Sequence, residues 1–258
     1  MQVASIRKKA LVTGGGGFIG SKLVKALLEK GVKVKVLDLQ LGHLRRSVNR
    51  NLEFIGTGGD QLQGGMADAS LVKEVVKDVE VIYHLAINWD ARSWKHRLPL
   101  ADLFDVNVRG TLNLLEAARA HKVRHFLFAS SSAVYGENES PNIDEETVCR
   151  PELFRGDPGP SYAILKLATE RLCLMYHRQH QLPLTALRIG YVFDAEEAPA
   201  EGEVHIDDVV RAFLLATLNK KAYGEVFNVS YNHPLSTDKV RRILGWEPEH
   251  TREVISKR

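Results

Sequence analysis

Eight residues near the start of the chain constrain its fold most. Thr13-Gly14-Gly15-Gly16-Gly17-Phe18-Ile19-Gly20 follows a short apolar run, Lys9 to Thr13, and Phe18 to Lys30 then carries Ile19, Leu23 and Leu27 at helical spacing. This reads as strand, turn and helix. Gly31 closes the helix, and Val32, Val34 and Val36 alternate with Lys33 and Lys35 up to Asp38, as a strand would. A run of four glycines alone also suits a flexible linker, so the context decides. Gly14 permits the tight turn, Gly17 lets the backbone approach a pyrophosphate, and Gly20 lets the helix pack on the sheet while its N-terminus offers N–H donors. Asp38 lies 18 residues beyond Gly20 at the end of the second strand, where a carboxylate accepts hydrogen bonds from adenosine ribose hydroxyls and repels a 2′-phosphate. The expected cofactor is therefore NAD rather than NADP.

The alternation continues along the chain. Strands are expected near Glu53 to Ile55, Val79 to Leu85, Phe126 to Ala129, Leu184 to Ile189 and Val226 to Val229. Helices are expected near Ser70 to Lys77, Leu100 to His121, Tyr162 to His180 and Asp207 to Asn219. This order predicts an α/β protein with a Rossmann-type, doubly wound parallel sheet. Gly136 to Pro160 and Asp194 to Gly202 read as surface loops over the strand ends, where ligands bind in such sheets. A length of 258 residues suits one such domain with a small appendage: residues 1–190 as the NAD-binding part, and 191–258 as a reduced substrate-binding lobe interleaved with the last Rossmann elements.

Composition excludes several classes of function. The net charge is only +3 and the basic clusters Arg7 to Lys9, Arg45 to Arg46 and Lys220 to Lys221 are short, so no nucleic-acid stripe is expected. Two cysteines without Cys-x-x-Cys spacing, no signal-like apolar region and no apolar run of membrane-spanning length point to a cytoplasmic protein that does not cross a membrane. His177 and His180 can share a helix face, but nothing completes a ligand set around them, so no metal is expected.

Seven tyrosines are present, and only Tyr162 has a lysine four residues later, Lys166, which a helix places on the same face. A free phenol titrates near 10, and a lysine cation about 6 Å away would pull it toward the neutral range. Such a phenolate can take a proton from an alcohol as hydride leaves the same carbon. A Tyr-x-x-x-Lys pair alone is more often a helix surface pair; a second motif favours the catalytic reading. Ser130, Ser131 and Ser132 lie just past an apolar strand on the ligand side of the sheet, where one hydroxyl can bond the reacting oxygen and the others can satisfy the loop backbone.

With these motifs in place, the sequence resembles the extended short-chain dehydrogenase/reductase family, also called NAD-dependent epimerase/dehydratases. The segments that carry the resemblance are Thr13 to Gly20, Asp38, His84-Leu85-Ala86, Asn107 to Thr111, Ser130 to Gly136, Tyr162 to Lys166, Arg188, and Val204 to Val209. It implies that Ser131, Tyr162 and Lys166 are catalytic, that Leu85 and Ala86 line the cofactor beside Phe18 and Ile19, and that the helices at Leu100 to His121 and Tyr162 to His180 pair in a homodimer. The family's dehydratases carry Thr-Asp-Glu where this chain has Ser131-Ser132-Ala133, so the acids that perform elimination are missing. Where the family holds adenine with an aspartate, the equivalent position is Met66, with Asp60 as an alternative brought in by a loop insertion.

A shortening narrows the substrate. Only 17 positions separate Arg188 from His205, and Tyr191 stands where many sugar-nucleotide epimerases have an asparagine. Uronate dehydrogenase-like members have a similarly reduced lobe and share the Arg188-Ile189-Gly190 sequence. Ser131, Ser132, Arg188 and Tyr191 are the expected substrate contacts, with Arg188 as partner for a substrate carboxylate. Three readings follow: a sugar epimerase of the UDP-sugar type; an NAD-dependent dehydrogenase of a free sugar or sugar acid; and a non-catalytic NAD-binding module, which would be expected to have lost the catalytic groups.

Overall fold

A computed structural model of the chain describes residues 9–40, 42–44, 50–56, 65–88, 99–194, 202–231 and 234–251. Seven strands form one parallel sheet: β1 (Lys9–Thr13), β2 (Lys33–Asp38), β3 (Leu52–Gly56), β4 (Val79–His84), β5 (His125–Ser131), β6 (Leu184–Ile189) and β9 (Val226–Val229), in the order β3-β2-β1-β4-β5-β6-β9. The order reverses between β1 and β4, and the crevice at that point faces the carboxyl ends of the strands. Strands β7 (Tyr191–Phe193) and β8 (Glu203–His205) make a separate two-stranded parallel sheet.

Helices cover both faces. Helices α1 (Phe18–Glu29), α6 (Ile206–Leu218) and α7 (Asp238–Leu244) pack on one side, around Leu23, Leu27, Phe213, Phe227 and Trp246. Helices α2 (Ala69–Val75), α4 (Gly110–Ala120) and α5 (Pro160–His180) pack on the other, around Val72, Leu114, Phe126 and Cys173. A strand covered twice has no solvent face, and this corrects the reading of β2 as an alternating strand. Lys35 is buried, and its ammonium donates to the carbonyls of Val75 (3.1 Å), the last residue of α2, and of Lys77 (3.3 Å) just after it. Its polarity serves the unpaired carbonyls of a helix end.

The expected helix over 100–121 is one rod in three parts: α3 (Leu100–Phe104), a π-helical segment Asp105–Arg109, and α4. The π segment lets Gly110 N–H reach back to the Asp105 carbonyl, and it contains the buried Asn107. Such insertions often mark functional positions.

Three elements escaped the sequence. Strands β7 and β8 have three residues each, too few to show a period of two. Helix α7 ends at Gly245, whose φ of +65° is left-handed, and the chain then inserts Trp246 into the core. The indole N–H donates to the Asp208 carbonyl at 2.8 Å, while the Asp208 carboxylate accepts the backbone N–H groups of Glu249 (2.9 Å) and His250 (3.0 Å). Thus the segment after α7 is fastened to the first turn of α6, directly behind the small β7–β8 sheet. Among the described residues, no helix is long and apolar enough to cross a membrane.

Candidate active site

The glycine turn has the shape of a phosphate cradle. Gly14 sits at φ +72°, and a Cβ there would lie 2.6 Å from Ala86 N; a Cβ on Gly20 would lie 2.1 Å from the Gly14 carbonyl. No other residue type fits either position. The N-terminus of α1 has no side-chain cap and no acid in its first turn, so its N–H donors are left for an anion. Asp38 turns one carboxylate oxygen onto the turn itself, accepting Gly16 N–H at 2.8 Å, while its other oxygen lies 3.4 Å from Gln40 N. The carboxylate is therefore held against the glycine turn. Phe18 stands 42% exposed at the mouth with its ring 6.4 Å from that of His43, and Ile19 packs partly against the core. These groups fit a dinucleotide.

Leu85 N–H donates to the Thr13 carbonyl (3.1 Å) and Ala86 N–H to Thr13 Oγ1 (3.3 Å), so both residues lie beside the turn as expected. Met66 is buried against Gly110, where a Cβ would come within 2.8 Å of the methionine Cβ, and its carbonyl accepts from Asn113 Nδ2 at 3.0 Å. Its side chain belongs to the core under α2 and α4. Asp60 lies outside the described residues.

The three catalytic candidates converge at the ends of β5 and α5. Ser131 closes β5, its Oγ accepting Ala133 N–H at 3.2 Å and pairing with the Tyr162 hydroxyl. Tyr162 lies in the first turn of α5, and Lys166, one turn on, places Nζ 5.8 Å from the tyrosine ring centre. That ammonium donates to the Ala129 carbonyl at 2.7 Å and is buried. Beside it, a cavity of about 10 Å³, room for roughly one water, is lined by Ala86, Asn107, Thr111 and Phe128 among others. Ser132 begins the following turn of 3₁₀ helix, half-buried next to Ser131, and Tyr191 is 72% exposed at the start of β7.

The electrostatics of the pair differ from the expectation. Burial pushes the Tyr162 phenol up, with the Ser131 hydrogen bond pulling only partly against it. Burial also lowers Lys166, to about 7. Both groups lose water and neither faces a counter-charge, so each is driven toward its neutral form. The lysine therefore does not lower the phenol as the helical spacing suggested.

Arg188 is a clearer correction. It is 1% exposed, and its guanidinium forks onto Glu170, Nε to one oxygen at 3.0 Å and Nη2 to the other at 2.7 Å. Nη1 donates to the Tyr135 hydroxyl (2.8 Å) and to the Glu145 carbonyl (3.1 Å). Four of its five N–H groups are engaged inside the protein and the side chain is buried, so it is no partner for a substrate carboxylate. Glu170, absent from the sequence reading, is the reason. It sits one turn beyond Lys166 and also accepts Ser130 Oγ–H at 2.6 Å, which ties the strand end that presents Ser131 to the helix that presents Tyr162. The visible signal was an acid at Tyr162 plus eight, on the face of α5 that carries Lys166.

The profile of the NAD dependent epimerase/dehydratase family matches residues 10–201. The chain belongs to that family. The UDP-glucose 4-epimerase of Lactobacillus helveticus is 30% identical over 217 residues, which cover 83% of this chain and 60% of that protein. The dTDP-glucose 4,6-dehydratase of Streptomyces niveus is 30% identical over 283 residues, covering 93% and 79% respectively. A solved structure of a mutated uronate dehydrogenase superposes with a TM-score of 0.76 at 26% identity, covering 96% of this chain and 84% of that one. The chain therefore spans only 60% of the epimerase's length. Ala86, beside the glycine turn, and Lys166 line the same small cavity.

One cluster of possible metal ligands also appears. His205, Asp207 and His250 have ligand atoms within 4.8 Å of one another. The two imidazoles are stacked, with centres 3.8 Å apart and planes at 17°. A metal must lie close to the plane of each ring it binds, and nearly parallel rings share no such point. His205 Nδ1 instead accepts Asp207 N–H at 3.2 Å.

Two measurements follow from the buried charges. Glu170→Ala leaves Arg188 buried without its partner, and urea unfolding should show a loss of about 3–5 kcal/mol; Glu170→Ala combined with Arg188→Leu should recover part of it. Lys166 titrates near 7 in the folded protein and near 10.4 when unfolded, so the unfolded chain holds more protons between those values and stability should rise with pH there. Thermal melts of the cofactor-free protein across that window should show this slope, and Lys166→Met should lack it.

Proposed function

We propose that the chain oxidises a sugar hydroxyl with NAD as a sugar epimerase, the product being the sugar inverted at the reacting carbon. The observation that carries this reading is the hydrogen-bonded Ser131–Tyr162 pair with Lys166 one helical turn on, set beside an uncapped glycine cradle. Bound NAD supplies the hydride acceptor. Tyr162 Oη takes the proton of the substrate hydroxyl, and Ser131 Oγ holds the same oxygen in place. Lys166, anchored on the Ala129 carbonyl, would help hold the dinucleotide beside Tyr162. Once the keto sugar has turned over, its carbonyl carbon takes the hydride back on the other face and Tyr162 returns the proton to the same oxygen, so net redox is zero. The epimerase relative at 30% identity supports this assignment. Elimination is disfavoured despite the dehydratase relative, because Ser132 and Ala133 supply no carboxylate beside Ser131.

A second reading, net dehydrogenation of a free sugar or sugar acid with release of NADH, draws on the uronate dehydrogenase likeness and on the short lobe between Arg188 and His205. The capture of Arg188 by Glu170 takes away the cation this reading relied on for a sugar acid. We also infer a cytoplasmic homodimer. Leu100, Phe104 and Leu112 on the α3–α4 rod and Ile164 on α5 are exposed apolar residues that such pairing would cover.

Tyr162→Phe removes the proton acceptor and little volume. Turnover should fall by at least about 10²-fold while NAD affinity stays near that of the wild type; near-normal turnover would move the base elsewhere. Incubation with NAD and a panel of UDP-sugars, free sugars and sugar acids, following NADH and product stereochemistry together, should give an inverted product without accumulated NADH. Stoichiometric NADH would establish the dehydrogenase reading instead. Because the lobe from Asp194 to Glu203 contains five acids and no base, UDP alone should bind no tighter than high micromolar.

A further inference from the structure

A chain of buried hydrogen bonds links the start of the glycine turn to the π segment between α3 and α4, and the proton transfer described above makes no use of it. At one end Ala86 N–H donates to Thr13 Oγ1 (3.3 Å), which lies 2.7 Å from His84 Nδ1. At the other, His84 Nε2 lies 2.8 Å from Thr111 Oγ1, which donates to the Asn107 carbonyl at 2.5 Å. Asn107 continues to Asn88, its Oδ1 accepting the backbone N–H (2.7 Å) and its Nδ2 donating to the carbonyl (2.9 Å). Thr13, His84 and Thr111 are all buried.

Counting hydrogens fixes the direction of every link. A hydroxyl has one hydrogen, and that of Thr111 goes to Asn107, so Thr111 can only accept from His84 and Nε2 must carry a proton. A neutral ring then has a bare Nδ1, which accepts from Thr13, and a lone pair of Thr13 takes Ala86 N–H. A doubly protonated ring would be a buried cation beside Lys166, and burial together with that charge lowers His84 to about 3. His84 therefore has one tautomer and one orientation, with both ring nitrogens used.

The residues at the ends of this chain belong to the segment Leu85–Asn88, which has no regular structure of its own. It passes so close to the glycine turn that Ala86 N and Cα lie 2.6 and 2.7 Å from where a Gly14 Cβ would be. A small displacement of the segment changes the width of the cradle and of the cavity beside Lys166. We propose that His84 is a positioning residue for the dinucleotide: fixed as the Nε2–H tautomer, it sets the spacing between the glycine turn and the Ala86 wall by bridging Thr13 to Thr111. The proposal rests on the cofactor site described above and adds a residue that touches neither cofactor nor substrate.

The test is calorimetric titration of the full-length chain with NADH, with thermal melts of the cofactor-free proteins alongside. His84→Gln can still donate to Thr111 but loses the acceptor for Thr13, and it should weaken NADH binding by about tenfold, the worth of one buried hydrogen bond. His84→Asn keeps the acceptor and loses the donor, and the loss should be smaller, about threefold. Thr111→Val removes one hydroxyl, releases the tautomer and should cost at least about threefold; it decides alone if the His84 variants do not fold. In the wild type, long-range ¹H–¹⁵N spectra should show a bare Nδ1 and a protonated Nε2 throughout about pH 5 to 8. Variants that melt lower but bind NADH within about twofold of wild type would make the role merely structural and overturn the proposal. So would a protonated Nδ1 or a ring that titrates in that range. A wild-type protein that does not bind NADH would instead remove the cofactor reading, and the inference with it.

Discussion

The fold turns on one close approach of backbone to backbone, where β1 enters the glycine turn and passes under the end of β4. Side chains are excluded there: a Cβ on Gly14 would collide with Ala86, and one on Gly20 with the Gly14 carbonyl. This contact seats α1 on the sheet and leaves its first N–H groups uncapped at the point where the strand order reverses. The crevice, the cradle and the position of Asp38 all follow from it. Holding two strand ends this close without side chains between them requires polar ties from behind, and Thr13, with its backbone carbonyl and its hydroxyl, supplies them.

Behind the reacting groups the interior is unusually polar, and the two buried networks have different characters. The Thr13–His84–Thr111–Asn107 chain is neutral throughout, so it can lie near Lys166 without adding charge to it. The Glu170–Arg188 pair is ionic, and its bidentate geometry together with Ser130 and Tyr135 offsets the desolvation of both ions. Between them, Lys166 is the one buried cation among these groups whose partner is a carbonyl rather than a carboxylate. Burial of that ammonium lowers its pKa to about 7, and burial also pushes the neighbouring phenol up.

The region after β6 is built more sparingly. Three-residue strands β7 and β8 pair only with each other, and the following segments are fastened by Trp246 and by the backbone of Glu249 and His250 on Asp208. Lys22 of α1 reaches Asp194 at the end of β7 with an N–O distance of 3.0 Å, so the lobe also touches the cofactor helix. Both partners are more than a third exposed, and such a pair contributes little to stability. Its consequence is geometric: the end of β7 is tied to α1 through Asp194.

How much of this was legible in the sequence depended on how local the deciding interaction was. The glycines of the cradle, Asp38, and the Tyr162–Lys166 spacing are set by a single turn or a single helical repeat, and their elements formed as the apolar periodicity indicated. Ser131 was also readable, because it closes an apolar strand on the side where ligands bind. The fate of Arg188 was not. A lone arginine on a strand looks the same whether it faces a ligand or a carboxylate on another element, and Glu170 lies 18 residues away on α5. The same holds for His84, whose tautomer is fixed by Thr13 and Thr111, brought together only when β1, β4 and α4 stack. The burial of Lys35 and the protonation of Tyr162 and Lys166 depend on what covers them, since desolvation is a property of the assembled interior. The sequence by itself determined the strand-turn-helix frame and the spacing of the candidate residues on it; only the tertiary structure decided their charge states and partners, because both depend on which distant groups exclude water around them.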